Sequence, residues 1–144
     1  MRRLFLLDPT QCFAGFETAC LLHALPMLLR PTPCRVRAFL EWETGGVPLD
    51  PDWLRLQEVG AGFPSVKPVT GPRPAPEALR GLNASVLLLL AGSSRTYDTH
   101  LVAARAGGLL PRVEAEVLAN ISHHALPHAA PERLVRHLTG FLGP

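Results

Sequence analysis

The chain has 144 residues, of which 47% are hydrophobic and 18% charged, a size that suits one domain or part of a larger one. The high apolar fraction excludes intrinsic disorder. The formal net charge of +2 and the lack of any run of basic residues exclude a strong electrostatic attraction to nucleic acid, so we expect no nucleic-acid partner.

Signals for export or membrane insertion are weak in the sequence. An apolar run over 4–7 follows two arginines, but Asp8 and Pro9 end it, whereas a secretory signal needs about seven apolar residues. The apolar stretch over 86–91 is far shorter than the roughly 18 residues of a membrane span. The three cysteines cannot all pair within the chain and match no zinc-site spacing: Cys12, Cys20 and Cys34. We therefore expect reduced thiols, a cytoplasmic protein and no membrane partner.

The first predicted elements are one strand and three helices. Consecutive apolar residues over 3–7 predict a strand buried on both faces. The helical pattern over 13–29 contains Pro26, which predicts a break or kink near the end of that helix. Two further helices are predicted over 33–42 and from Pro51 to about 59, because each has a proline at its first position after a capping residue.

The second half of the chain alternates strands with helices. Five prolines between 64 and 76 predict an extended, stiff spacer, which a short helical turn over 77–82 follows. Strands are predicted over 86–91 and 113–118, the second nearer a sheet edge because it alternates apolar residues with glutamates. Helices are predicted over 98–106 and 131–142, the last with these residues facing inward: Leu134, Val135, Leu138, Phe141 and Leu142.

This order predicts an α/β fold with a mostly parallel sheet that helices cover on both faces. Only three strands can be counted, however, and two of them have the composition of central strands. A central parallel strand needs a neighbour on each side to satisfy its backbone groups. We therefore interpret the chain as part of a larger sheet.

Polar side chains follow all three predicted strands. Asp8 follows the first strand, Asp98 follows the second after a short loop, and His123 and His124 follow the third. In parallel α/β sheets, catalytic groups lie at the carboxyl ends of strands. An aspartate before a histidine at one sheet edge forms two members of a nucleophile–His–acid triad, in which the aspartate orients the imidazole that takes the nucleophile's proton.

Four stretches of the second half of the chain form a recognisable series: LLLAGSSRTYDTHLV over 88–102, LPRVEAEVL over 110–118, SHHALP over 122–127 and PERL over 131–134. Together they resemble the C-terminal half of the α/β-hydrolase fold. RLFLLDP over 3–9 resembles the sixth strand of that family, and the helices after it resemble a lid. The resemblance implies four segments: a strand-6 segment over 1–12, a helical lid over 13–63, a proline-rich connector over 64–82 and the C-terminal core over 83–144.

The resemblance also implies roles for individual residues. Asp98 is the expected triad acid and His123 the expected base, since His123 follows the small Ser122 where the family usually has glycine. His124 is the alternative base, because one inserted or deleted residue in the loop would exchange the two histidines. Asp8 stands where some relatives place the acid and is the second choice; termination of the strand with Pro9 is the preferred explanation of this aspartate.

The chain departs from the family in having no Gly-x-Ser-x-Gly nucleophile turn and no oxyanion-hole segment. All serines follow the strand-6 segment: Ser65, Ser85, Ser93, Ser94 and Ser122. In a serine protease, loss of the nucleophile removes nearly all catalysis. We therefore expect the chain alone to be inactive, and a longer parent enzyme to hydrolyse a small apolar ester or similar bond with a serine from missing sequence.

Two further expectations concern partners and metals. As an alternative, the chain is a non-catalytic binding or assembly protein derived from a truncated hydrolase. Its apolar edge strands would then drive self-association or pairing with a chain that carries the missing half.

His124 and His128 have i, i+4 spacing, but Pro127 opposes a helix there and no His-Glu-x-x-His motif exists, so no metal site and no cofactor are predicted.

Overall fold

The computed structural model describes residues 2–63 and 72–143. Its strands are β1 (Arg3–Leu7), β2 (Ser85–Ala91) and β3 (Val113–Leu118). Its helices are α1 (Thr18–Leu29), α2 (Pro33–Glu43), α3 (Pro51–Gly60), α4 (Pro76–Arg80), α5 (Thr99–Leu109), α6 (Leu126–Ala129) and α7 (Pro131–Leu142). Within the described residues, no helix combines the length and apolar character that crossing a membrane requires.

The three strands form one parallel sheet in the order β1-β2-β3, which confirms the predicted α/β class. Leu6 of β1 pairs with Leu88 of β2, and Leu88 in turn pairs with Ala115 of β3. β2 is the central strand, and its residues 86–91 are all buried, as the run of consecutive leucines predicts. Among the described residues, β1 pairs on one side only, so it lies at an edge of this sheet.

Helices cover both faces of the sheet. On one face, Val86, Leu88 and Leu90 pack against α5, with Phe13 and Tyr97 in the same cluster. On the other face, Leu87 and Leu89 pack against residues of α6 and α7. Because neighbouring side chains along a strand point to opposite faces, the apolar run of β2 supplies both clusters.

Helices α1, α2 and α3 form a helical segment (residues 18–60) with its own apolar cluster. The buried members of the cluster are Cys20, Ala24, Val36, Phe39 and Leu40. The predicted caps of the second and third helices are present, since Thr32 accepts a hydrogen bond from the Arg35 amide and Asp50 accepts one from the Trp53 amide. These caps fix where α2 and α3 begin.

Several local predictions were wrong. The first helix begins at Thr18 rather than at 13, because Phe13 and Ala14 pack in the sheet cluster from a loop. The helix ends at Leu29, as predicted, and Pro26 lies inside it without breaking it. Pro127 does not prevent a helix, since it occupies the first turn of α6, where proline is tolerated.

Two more predictions concern the last helix and the proline-rich connector. Val135 and Leu142 of α7 were predicted to face inward, but they are 59% and 47% exposed, so the prediction was wrong for these two residues. The proline-rich connector over 64–82 falls partly on 64–71, which lies outside the described residues. Its described part contains α4, whose first position is Pro76, so the predicted short helical turn is present there.

Candidate functional site

Asp8 begins the site at the carboxyl end of β1. Its φ of 46° lies in the left-handed region, which aspartate tolerates better than most residues. Its amide still donates to the carbonyl of Leu89 at 2.8 Å, so β1 and β2 remain paired at this point. The left-handed turn ends the strand, and the side chain of Asp8 is buried with 2% exposure.

Three groups contact the Asp8 carboxylate. Oδ1 accepts hydrogen bonds from the Ala91 amide at 2.8 Å and from the Tyr97 hydroxyl. Oδ2 lies 2.5 Å from Nδ1 of His123, an ion-pair distance. A carboxylate buried without partners is strongly unfavourable, and these contacts supply partners for both oxygens of Asp8.

His123 lies in the loop after β3, at the carboxyl end of the sheet, where Asp8 also follows β1. Its ring is about one quarter exposed, in contrast to the buried carboxylate. Because Asp8 holds Nδ1, the other ring nitrogen, Nε2, is the one left for proton transfer. A cavity of about 220 Å³ lies against both residues, and its lining includes the apolar side chains of Leu7, Trp53 and Leu126. This arrangement can bind an apolar group beside a general base.

A larger cavity, of about 530 Å³, lies between the α2–α3 loop and the loops after β2 and β3. Its lining includes Arg95, Asn120 and Ser122 but neither Asp8 nor His123. Arg95 already donates a hydrogen bond to the carbonyl of Trp42 at 2.8 Å. We centre the candidate site on the smaller cavity, because only that one contains the paired acid and base.

Asp98, the first-choice acid, does not hold His123. Its side chain is exposed and caps α5 by accepting a hydrogen bond from the Leu101 amide at 2.9 Å. The preceding Tyr97 is 2% exposed and reaches Asp8 instead. The turn before α5 thus directs Tyr97 inward and Asp98 outward, and Asp8, the second-choice acid, is the carboxylate that lies beside His123.

Glu43, at the end of α2, is a residue of the candidate site that was not predicted from the sequence. It is fully buried, and its Oε1 accepts a hydrogen bond from the His123 amide at 3.0 Å. Its Oε2 accepts one from the His124 amide at 3.3 Å and lies 3.3 Å from Nδ1 of that ring, at ion-pair distance. His124, the alternative base, therefore faces Glu43 rather than Asp8.

A sequence signal for Glu43 did exist. It follows Val36, Phe39 and Leu40 at i, i+3, i+4 and i+7 spacing, so a carboxylate occupies the apolar stripe of α2. Burial raises the pKa of Glu43, but its contacts with His124 and the Ser122 hydroxyl outweigh this and hold the pKa below its usual value. Glu43 is therefore ionised at neutral pH.

We expect Tyr97→Phe to destabilise the fold by about 1 to 3 kcal/mol at neutral pH, because it removes a donor from a buried carboxylate. Burial and the neighbouring charge of Asp8 raise the pKa of Tyr97 well above its usual range. A raised folded-state pKa stabilises the fold below the unfolded-state value of about 10, and this stabilisation is lost as the pH rises above that value. Urea unfolding at pH 7 and pH 11 should show the wild-type advantage shrinking; an equal difference at both would contradict the assignment.

Three solved structures from Bacillus subtilis share the architecture of this chain. A protein assigned as a hydrolase is 26% identical, with a TM-score of 0.79, over 96% of this chain and 52% of that chain. Carboxylesterase CesB is 21% identical, with a TM-score of 0.78 and the same coverage of 96% and 52%. The naproxen esterase, carboxylesterase NP, is 27% identical, with a TM-score of 0.75, over 94% of this chain and 50% of that chain. The chain spans about half the length of each.

No protein-family model and no curated protein matches the sequence. The structural likeness nevertheless covers nearly the whole chain, including the parallel sheet and the helices on both of its faces. The resemblance inferred from the short motifs of the sequence is thus confirmed for the fold. The chain has a partial α/β-hydrolase fold, which matches the C-terminal half of these hydrolases and carboxylesterases.

Proposed function

We propose that this chain supplies the acid and the base of a carboxylester hydrolase, with Asp8 as the acid and His123 as the base. The single observation that carries the proposal is the 2.5 Å contact between Asp8 Oδ2 and His123 Nδ1 at the carboxyl edge of a parallel sheet. Active sites of open parallel sheets lie at this edge. The carboxylesterase names of two structural neighbours support the same class of reaction.

In this mechanism Asp8 fixes the orientation of the His123 ring and stabilises its protonated form. Nε2 of His123 takes the proton of a serine hydroxyl as that oxygen attacks the ester carbonyl, and then returns it to the departing alkoxide. Water repeats the sequence in the second half-reaction and releases the carboxylic acid. Residues 1–144 contain no Gly-x-Ser-x-Gly turn, so the serine belongs to sequence other than these residues.

The proposed substrate is a small apolar ester. The apolar side chains that line the cavity beside His123 include Leu7, Trp53 and Leu126. Trp53 belongs to α3, and we therefore propose that residues 13–63 act as a lid that shapes one wall of the substrate site. We also place the reaction in the cytoplasm, because the free thiols of Cys12, Cys20 and Cys34 suit a reducing compartment.

The proposal can be tested by purifying the native product that contains this sequence, through a C-terminal tag, from its own cells. We expect a fluorophosphonate probe to label one serine in that preparation, and p-nitrophenyl butyrate to be hydrolysed. We expect the 144-residue chain, purified alone, to give neither result. Hydrolysis by the isolated chain that disappears with His123→Ala would contradict the claim that the nucleophile lies elsewhere. An unlabelled, inactive native preparation would contradict the hydrolase proposal itself.

A second candidate function is assembly without catalysis. Two observations favour it: within the described residues β1 pairs on one side only, and α1 exposes leucines such as Leu22, Leu28 and Leu29. Unpaired strand edges and exposed apolar surface promote association with another chain or a second copy of the same chain. The native purification separates the two functions, because an assembly protein would bring down a partner or copies of itself without any probe-labelled serine.

A further inference from the structure

We propose that Glu43 is a positioning residue, which holds the backbone of the histidine loop so that His123 meets both Asp8 and the substrate. The inference rests on the proposed function, since it assigns a part to the helical segment in the same reaction. Glu43 ends α2, and its partners lie 80 and 81 positions further along the chain. A single carboxylate thus connects the helical segment with the loop after β3.

Two backbone amides of the histidine loop bind the Glu43 carboxylate. The amides of His123 and His124 donate to different oxygens of the same carboxylate, at 3.0 and 3.3 Å. Hydrogen bonds to an ionised acceptor are stronger than those between neutral groups. Together they fix the peptide plane that precedes each histidine, and therefore the point from which the His123 side chain starts. Asp8 then fixes the far end of that side chain through Nδ1.

The His124 ring packs between α2 and the His123 ring. This ring lies 3.3 Å from Glu43 and packs edge-on against Phe39 of α2, with ring centroids 5.4 Å apart. It also packs edge-on against the His123 ring, at 5.0 Å. His124 therefore contacts both α2 and the His123 ring, so the position of the proposed base depends on the position of the helical segment.

The position of Glu43 in the fold is energetically costly. A fully buried carboxylate in an apolar helix stripe is unfavourable unless hydrogen-bond donors or opposite charges pair with it. Glu43 contacts the backbone amide of His123, and the ring it contacts is that of His124. Glu43 is thus suited to hold His123 in place, which affects turnover rather than substrate binding.

The kinetic test uses Glu43→Gln, which keeps the shape and one acceptor oxygen, with Glu41→Gln as the matched control because Glu41 is exposed on the same helix. In the native preparation we expect Glu43→Gln to lower kcat about 100-fold with KM unchanged, as for a misplaced catalytic group. We expect Glu41→Gln to leave both constants unchanged. A matching change in KM, or equal behaviour of the two variants, would overturn the positioning role.

A second readout uses the amides themselves. In the wild-type protein, we expect hydrogen exchange at the His123 and His124 amides to be slow although both lie in a loop. In Glu43→Gln, one of the two should exchange rapidly, because the amide NH₂ of glutamine cannot accept a hydrogen bond. Rapid exchange of both amides in the wild type would overturn the proposal even if the variant does not fold.

The inference and the proposed function fail differently. If Asp8→Asn leaves the native activity intact, the proposed function is wrong whatever Glu43 does. If Asp8→Asn abolishes activity while Glu43→Gln changes neither kcat nor amide exchange, the acid and base assignments stand and only the positioning role is wrong.

Discussion

Replacing His123 with alanine is expected to lower kcat of the native preparation by about 10⁶-fold, since in a serine-protease triad the loss of the histidine alone removes nearly all nucleophile activation. His124→Ala is expected to cost far less, on the order of 100-fold, because His124 only braces the loop and contacts Glu43 rather than Asp8. Both variants are measured by p-nitrophenyl butyrate hydrolysis, and the fraction of enzyme that the fluorophosphonate labels counts the reactive sites.

The pair of histidine variants is its own control, because both remove one imidazole from the same loop. A larger loss with His124→Ala than with His123→Ala would exchange their roles. Equal, small losses would mean that neither ring takes the serine proton, and the hydrolase mechanism would need another base.

Asp8→Asn is expected to lower kcat by about 10⁴-fold, the size of the same change in a serine-protease triad. Asparagine tolerates the left-handed backbone of residue 8 as well as aspartate does, so the substitution changes the charge and not the turn. Without the negative charge, the His123 ring loses the group that fixes its tautomer and stabilises its protonated form.

The matched control is Asp98→Asn, which keeps a side-chain oxygen for the cap of α5. We expect kcat and thermal stability of that variant to stay within error of the wild type. If Asp98→Asn instead caused the large loss, the acid would be Asp98 after all, reached through a rearrangement of the loop before α5. Circular dichroism of both variants checks that the fold is retained.

The sheet was predictable from the sequence because its physical signal is local. The unbroken leucines of β2 report that both faces of that strand are buried. The glutamates of β3 predict a less buried strand, and β3 is indeed less buried than β2, although its burial does not alternate along the strand. The beginning of α1 was not predictable in the same way. Phe13 and Ala14 continue the apolar periodicity of that helix, yet they lie in a loop and pack on the sheet.

The site was predictable only in part. The sequence order predicted an aspartate and a histidine at the carboxyl end of the sheet. It did not show which aspartate contacts the histidine, because this depends on whether residue 97 or residue 98 faces inward. In the turn before α5, Tyr97 faces inward and Asp98 faces solvent, and no spacing rule reports that difference. Glu43 gave a usable signal, a carboxylate within an apolar helix stripe, but its partners lie too far along the chain for the sequence to name them.

The contacts that build the site have a consequence for folding. His123 and Asp8 are 115 positions apart, Tyr97 and Asp8 are 89 apart, and His123 and Glu43 are 80 apart. Contacts of such long sequence separation form slowly, because large loops must close before any of them stabilises the chain. At a synthesis rate of about 5 to 20 residues per second, His123 is added on the order of ten seconds after Asp8. A nascent chain that stalls before residue 123 therefore contains Asp8 without the histidine that pairs with it.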